Sequence, residues 1–461
     1  LDDGNNAVTL GNVANPGTLT DVATLTGGTA ADTITLDTAL SNGSVNLGTG
    51  SDTLILSSAA NTATVSNVET LTGDAGDDAI TLGAAAVNAS VDLDDGDDTL
   101  TLANGTNSLT VANVETITGG SGADTVTLTT ALTTDLSVDL GTGSDKLVLA
   151  SVANTGTLTG VESVVGGSDD DSITLSAAIT GASINLGDGS DDLTLADGAN
   201  SLTVANVETI TGGTGDDSVT LGSALTTGMT VDLDDGNNAV TLGTFANTGT
   251  LTNVATLTGG TGADTITLDT ALSNGSVNLG TGADTLILSS DANTATVSGV
   301  ETLTGDDGDD TITLGAAAAN ASVDLGDGDD TLTLANAANT LTVSNVETIT
   351  GGTGIDLVTL GTALTTGTSI DLGTGKDKIV LADVANEGTL SGVESVVGGS
   401  DDDTITLAGV VTGGSVSLGA GSDTLVLADG TNSLTAAGIE TVTGGTGNDT
   451  ITFSAALTSD M

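Results

Sequence analysis

The stretch GGTGADTITL, Gly259–Leu268, decides how the chain folds. Its glycines and the aspartate make a tight corner, because reversing direction over so few residues needs positive φ, which glycine adopts cheaply. The TITL that follows has the two-residue period of a strand, with Ile266 and Leu268 on one face and Thr265 and Thr267 on the other. Variants begin at Gly27, Gly73, Gly119, Gly166, Gly212, Gly305, Gly351, Gly398 and Gly444. A related turn, as in LGDGDDTLTL (Leu325–Leu334), begins at Leu1, Leu47, Leu93, Leu140, Leu186, Leu233, Leu279, Leu325, Leu372 and Leu418, which sets a unit of 46 or 47 residues. The opening LDDGNNAVTL returns at Leu233, so the units group into super-repeats 1–232 and 233–461, five units in each. The copies are close: within 37–58 and 269–290 only Ser51 and Ala283 differ. Met461 follows Met229 by the same 232 residues, and the chain is expected to be a slice of a longer array.

Repeats of this length mean a solenoid or a propeller. Glycine and β-branched residues dominate, and no stretch sustains a 3.6-residue period, so helices are not expected. The aromatic signatures of propeller blades are missing, which leaves an all-β, parallel β-solenoid of the β-roll or β-helix kind. Taking each of the two turns in a unit as one coil gives about 23 residues per coil and roughly 20 coils. Residues 1–461 then form a single continuous array whose stacked Ile, Leu and Val columns make one core.

The composition narrows the chemistry. There are 67 Gly, no Cys, no His, no Trp or Tyr, and three Lys against 62 acidic residues, for a net charge of −59. Without Cys there are no disulfides, zinc thiolates or thiol catalysis. The sign of the charge excludes nucleic acid and anionic membrane surfaces as partners, and no apolar stretch is long enough to insert into a membrane as a helix. The chain starts LDDG in place of Met, and no signal peptide is expected in it. The apolar fraction of 37% predicts folding once the charge is neutralised. Acids spread at fixed intervals favour many small cations over one basic partner. Catalysis needs a distinct site with tuned groups, whereas here each coil resembles the next, so no catalytic residue and no enzyme is expected.

The sixth position of the second turn is Asp in every unit: Asp32, Asp78, Asp124, Asp171, Asp217, Asp264, Asp310, Asp356, Asp403 and Asp449. In the first turn it is Asp52, Asp98, Asp145, Asp191, Asp284, Asp330, Asp377 and Asp423, with Asn6 and Asn238 as exceptions. Asp side chains can simply cap tight turns. Stacked at strand spacing, however, these carboxylates repel one another unless a cation sits between them. Oxygen ligands with flexible geometry suit Ca²⁺ better than Mg²⁺.

The pattern G-G-x-G-x-D-x-U-x resembles the calcium-binding RTX repeat of type I secreted bacterial toxins, proteases, adhesins and surface-layer proteins. The resemblance implies multiple Ca²⁺ ions held between successive coils by the turn glycines and the eighteen Asp just named, and an extracellular or bacterial cell-surface location. Two departures stand out. The motif is read here as recurring once per coil, which predicts one calcium column, and the first turn opens with Leu where the family has Gly. Lys146, Lys376 and Lys378 flank Asp145 and Asp377 and are expected to weaken ion binding there, while Glu69, Glu115, Glu162, Glu208, Glu301, Glu347, Glu394 and Glu440 are read as a solvated column, with metal ligation as the alternative. Spacers such as NVETITGG, Asn345–Gly352, resemble those of large bacterial surface proteins built of β-strand repeats.

The expected function is a calcium-stabilised extracellular structural protein: a surface layer, filament, biofilm-matrix fibre or adhesin stalk. Its expected partners are other copies of itself, meeting laterally along an apolar stripe of Ile55, Val148, Ile287, Val380 and Val426 or end to end, with cell-surface polysaccharide as a further candidate. The alternative is an ice-binding β-solenoid that uses Thr-x-Thr pairs such as Thr33/Thr35, Thr125/Thr127, Thr265/Thr267, Thr311/Thr313, Thr404/Thr406 and Thr450/Thr452.

Overall fold

The structure, a computed structural model, describes residues 4–454. Every regular element among them is a β-strand, 49 in number. The chain divides into two compact units, Leu1–Ser223 with Met229–Gly236 and Ala224–Gly228 with Asn237–Met461. The division runs around the 232/233 boundary of the sequence super-repeat.

Each unit is a parallel β-solenoid of two sheets, and the chain alternates between them strand by strand. In the first unit Thr24–Gly28 pairs with Ser41–Gly48, and that strand with Thr62–Ser66, in one sheet. The intervening strands Thr33–Leu36, Thr53–Ile55 and Thr70–Thr72 stack in the other. The second unit repeats the arrangement, with Thr265–Leu268, Thr285–Ile287 and Thr302–Asp306 in one sheet and Ser273–Gly280 and Thr294–Ser298 in the other.

The coil is tighter than the roughly 23 residues expected of two turns per repeat. Partners lie 17 residues apart at Thr62↔Ala79, 20 at Thr24↔Ser44 and 21 at Thr116↔Ser137. The two units together hold about 22 turns of about 20 residues. The reason is the spacer. The unit that begins at Leu47 supplies five strands, Thr53–Ile55, Thr62–Ser66, Thr70–Thr72, Ala79–Leu82 and Val87–Asp92, which is two and a half coils. Two of the five, Thr62–Ser66 and Thr70–Thr72, are joined by residues 67–69, of which the first is left-handed. That position carries φ between 51° and 60° in every repeat: Asp21, Asn67, Asn113, Gly160, Asn206, Asn253, Gly299, Asn345, Gly392 and Gly438. Only Asn, Asp and Gly adopt this conformation without a large steric penalty, and only they occur there.

The half coil left over places equivalent turns of consecutive repeats on opposite edges. Asp32 lies where the chain leaves the sheet of Thr24–Gly28 for that of Thr33–Leu36, and Asp78 lies on the reverse crossing, between Thr70–Thr72 and Ala79–Leu82. The same half turn divides the outward stripe. In the second unit Val380 and Val426 belong to different sheets, and Ile287, Val380 and Val426 are half-buried. An outward hydroxyl column is also interrupted: Thr250, Thr267, Ile287, Thr304 and Asp324 stack in register.

The Leu that opens the first turn is core. Leu47, Leu93, Leu140 and Leu186 in the first unit and Leu279, Leu325, Leu372 and Leu418 in the second are 0% exposed. Each such burial contributes about 1.5–3 kcal/mol. The Leu279 carbonyl presses on Gly259, where a Cβ would overlap it. Gly259→Ala is therefore expected to destabilise the fold by about 1–3 kcal/mol. Gly409→Ala, at a glycine with open space and no positive φ, should be neutral or slightly stabilising. Denaturant unfolding of the two variants in calcium checks the contrast.

Candidate metal site

The corners of both solenoids are tied by a hydrogen-bonded ladder that passes from backbone to side chain, one coil at a time. On one edge of the first unit the Leu40 N–H donates to Asn61 Oδ1 at 3.0 Å, and the Asn61 N–H and side-chain amide donate to Asp78 Oδ1 at 2.7 and 2.8 Å. The Asp78 N–H donates to Asp98 Oδ1 at 2.7 Å, and the Asp98 N–H to Glu115 Oε2 at 2.8 Å. The opposite edge repeats the sequence through Ala86, Asn107, Asp124, Asp145 and Glu162. In the second unit the two edges carry Leu225, Asn247, Asp264, Asp284 and Glu301, and Leu272, Asn293, Asp310, Asp330 and Glu347. One module, apolar residue, Asn, Asp, Asp and Glu, thus spans five coils and two sequence repeats.

Of the eighteen aspartates singled out in the sequence, seventeen are 0–1% exposed and Asp449 is half-buried. They do not form the single continuous column expected. A second-turn Asp is followed one coil later by the first-turn Asp of the next repeat, as Asp32 by Asp52, Asp264 by Asp284 and Asp403 by Asp423. Along one edge the next such pair comes only after Glu, apolar and Asn coils. The pairs occur on both edges because each repeat ends half a coil out of phase.

Two ladder members carried no weight in the sequence reading. The Asn column, Asn15, Asn61, Asn107, Asn154, Asn200, Asn247, Asn293, Asn339, Asn386 and Asn432, recurs without exception 17 residues before each second-turn Asp, and that invariance is its signal. Buried Asn293 is satisfied throughout: its amide holds the Ser289 and Asp291 carbonyls at 3.1 and 2.6 Å and Asp310 Oδ1 at 3.0 Å, while its Oδ1 accepts from the Leu272 N–H. The Glu column is half-buried and accepts a backbone N–H at each rung, so it is more than a solvated face. Lys146 and Lys376 are exposed, whereas their neighbours Asp145 and Asp377 are fully buried.

The ladder uses only one carboxylate oxygen. In the paired Asp, such as Asp264 with Asp284 and Asp310 with Asp330, Oδ2 is buried and meets no hydrogen-bond donor. Only glycine fits beside it. A Cβ on Gly305 would overlap the Leu325 carbonyl and lie 2.7 Å from Asp310 Oδ2, and one on Gly166 would meet the Leu186 carbonyl and lie 2.7 Å from Asp171 Oδ2. Among the described residues no three carboxylates converge on one point, so these are pairs in adjacent coils with backbone oxygens beside them. Buried, unpaired carboxylates among oxygen donors fit a hard divalent cation, which takes such ligands in variable number.

Six segments, 66–86, 112–128, 205–223, 255–269, 296–318 and 434–452, match the family model of the RTX calcium-binding nonapeptide repeat. The chain carries RTX-type repeats. Each matched segment holds one second-turn Asp, namely Asp78, Asp124, Asp217, Asp264, Asp310 and Asp449, and none holds a first-turn Asp. Among curated proteins none matches the chain. RTX nonapeptide repeats bind calcium ions, and the pairing above sets an RTX turn directly against a first turn that departs from the family pattern.

Burial raises the carboxyls that calcium would otherwise neutralise. It pushes Asp98 up to about 7 against the lowering hydrogen bond from the Asp78 N–H, and the charges of Asp78, Glu115 and Asp77 add to the rise. Asp191 and Asp330 are pushed to about 6 in the same way. A carboxyl whose folded pKa is raised contributes stability that is complete below the unfolded value of about 4 and is lost as pH rises through the folded value. Without divalent cations, acidification from pH 7.5 to pH 5 is therefore expected to restore strand content. Far-ultraviolet dichroism in chelator across this range checks this, and strand content that falls on acidification would contradict it.

Proposed function

We infer that the protein is an extracellular structural repeat protein whose two solenoids are stabilised by calcium at the Asp pairs on both edges. The observation that carries this reading is the buried carboxylate oxygen without a donor, repeated along each unit. When bound, calcium would supply the positive charge that these pairs lack. The chain's own part is to aim Oδ2 inward, hold Oδ1 with the backbone N–H of the coil before, and bring the turn-glycine backbone close beside Oδ2.

RTX repeats are typical of secreted bacterial proteins. Calcium outside cells reaches concentrations at which weak extracellular-type sites fill. Near-identical super-repeats suit a part whose useful property is length: a surface-layer element, filament, biofilm-matrix fibre or adhesin stalk that packs against further copies of itself, with cell-surface polysaccharide as a further partner. The repetition of one module argues against catalysis, which would need a rung unlike the others. The interrupted column Thr250, Thr267, Ile287, Thr304 and Asp324 weighs against the ice-binding alternative.

At neutral pH, calcium is expected to produce the far-ultraviolet dichroism of a β-sheet and a compact hydrodynamic radius, and chelator to abolish both. Strand content that ignores calcium and chelator alike would sink the proposal.

A further inference from the structure

The Glu column has a pattern of presence and absence that follows the charge of the first turn. Eight glutamates each accept the backbone N–H of the first-turn Asp one coil earlier, at 2.7 to 2.9 Å: Asp52 to Glu69, Asp98 to Glu115, Asp145 to Glu162, Asp191 to Glu208, Asp284 to Glu301, Asp330 to Glu347, Asp377 to Glu394 and Asp423 to Glu440. At the two places where the first turn carries Asn, Asn6 and Asn238, the residue 17 positions on is Ala23 or Ala255 in place of Glu. There the Asn amide donates to a backbone carbonyl instead, Asn6 to Asp21 O at 2.7 Å and Asn238 to Asn253 O at 3.0 Å.

The Asn6 N–H donates to the Gly4 carbonyl at 3.0 Å, so at that turn the backbone acceptor is replaced as well. What disappears together is a pair of negative charges. Each of the eight Asp in these pairs is 0–1% exposed and has an Oδ2 without a donor, one coil from a half-buried carboxylate that also lacks a cationic partner in its module. Burying two charges side by side is costly unless something compensates both. Replacing both at once removes the need.

We propose that Glu69, Glu115, Glu162, Glu208, Glu301, Glu347, Glu394 and Glu440 share a calcium-binding position with the first-turn Asp of the preceding coil, so that the first turn completes its site with a carboxylate from outside the nonapeptide. This rests on the calcium reading above and extends it. It accounts for a first turn that departs from the nonapeptide at its opening Leu, since the missing ligand comes from the next coil. It also makes the repeats that begin at Leu1 and Leu233 the places where the first-turn site is absent.

The test uses the full chain and calcium itself. Glu301→Gln, Glu347→Gln, Glu394→Gln and Glu440→Gln are made together, since Gln keeps an oxygen for the N–H and loses the charge. A control variant removes four exposed charges that bond no ladder residue and lie outside the second turns, with Asp37→Asn, Asp135→Asn, Asp269→Asn and Asp371→Asn. Equilibrium dialysis with radioactive calcium should show half-saturation raised about tenfold in the Glu set relative to the control set, the scale on which ligand charge tunes such sites. Equal half-saturation in the two sets would overturn this inference and leave the calcium reading standing, whereas a parent chain that binds no calcium would overturn both. Should the Glu set fail to fold, the converse variant decides. Asn238→Asp with Ala255→Glu should bind more calcium per chain at saturation than the parent, and an unchanged stoichiometry would overturn the proposal.

Discussion

A buried carboxylate with one satisfied oxygen and one unsatisfied oxygen is the constraint on which the rest of this molecule depends. Two such charges about 4.8 Å apart, the spacing of adjacent strands, repel by about 3 kcal/mol at the effective dielectric of protein sites. Each also loses its water, at several kcal/mol per ion. The structure stacks these residues in pairs along both edges of each unit. A fold that repeats an unfavourable element so often is stable only when the same solution is available at every repeat, and an abundant external divalent cation is such a solution.

The coil geometry serves that arrangement. A repeat of two and a half coils sounds awkward, yet it distributes the charged corners over two edges and keeps like modules five coils apart. A repeat of whole coils would stack all the aspartate turns on one edge. The left-handed residue of the spacer, Asn67 and its equivalents, creates the extra strand and therefore the half coil. A local backbone preference thereby sets where charge accumulates.

The solenoid, its parallel strands and the inward aspartates were legible because each depends on a local pattern: glycine corners, Thr alternating with Ile, Leu or Val, and an acid at one fixed place. The coil length was not, because the fifth strand is announced by no glycine turn, only by a lone Asn, Asp or Gly between two short runs of Thr and Val. The ladder was hidden for a different reason. Its rungs lie 17, 20 or 21 residues apart, and the offsets follow from the coil. Asn293 drew no reading and Glu301 looked like a surface residue until strand pairing placed Asn293 beside Asp310 and Glu301 beside Asp284. The joint replacement of Asp and Glu by Asn238 and Ala255 was present in the sequence but had no meaning before those contacts were known.

The most direct measurement is anomalous diffraction from crystals grown in calcium, recorded at a wavelength that makes the ion visible. The account predicts ions beside the Oδ2 atoms of paired aspartates such as Asp264 and Asp284 on one edge and Asp310 and Asp330 on the other, inside the corners. Calcium found only at exposed carboxylates such as Asp309 and Asp329, with the buried Oδ2 atoms bonded to water alone, would contradict it.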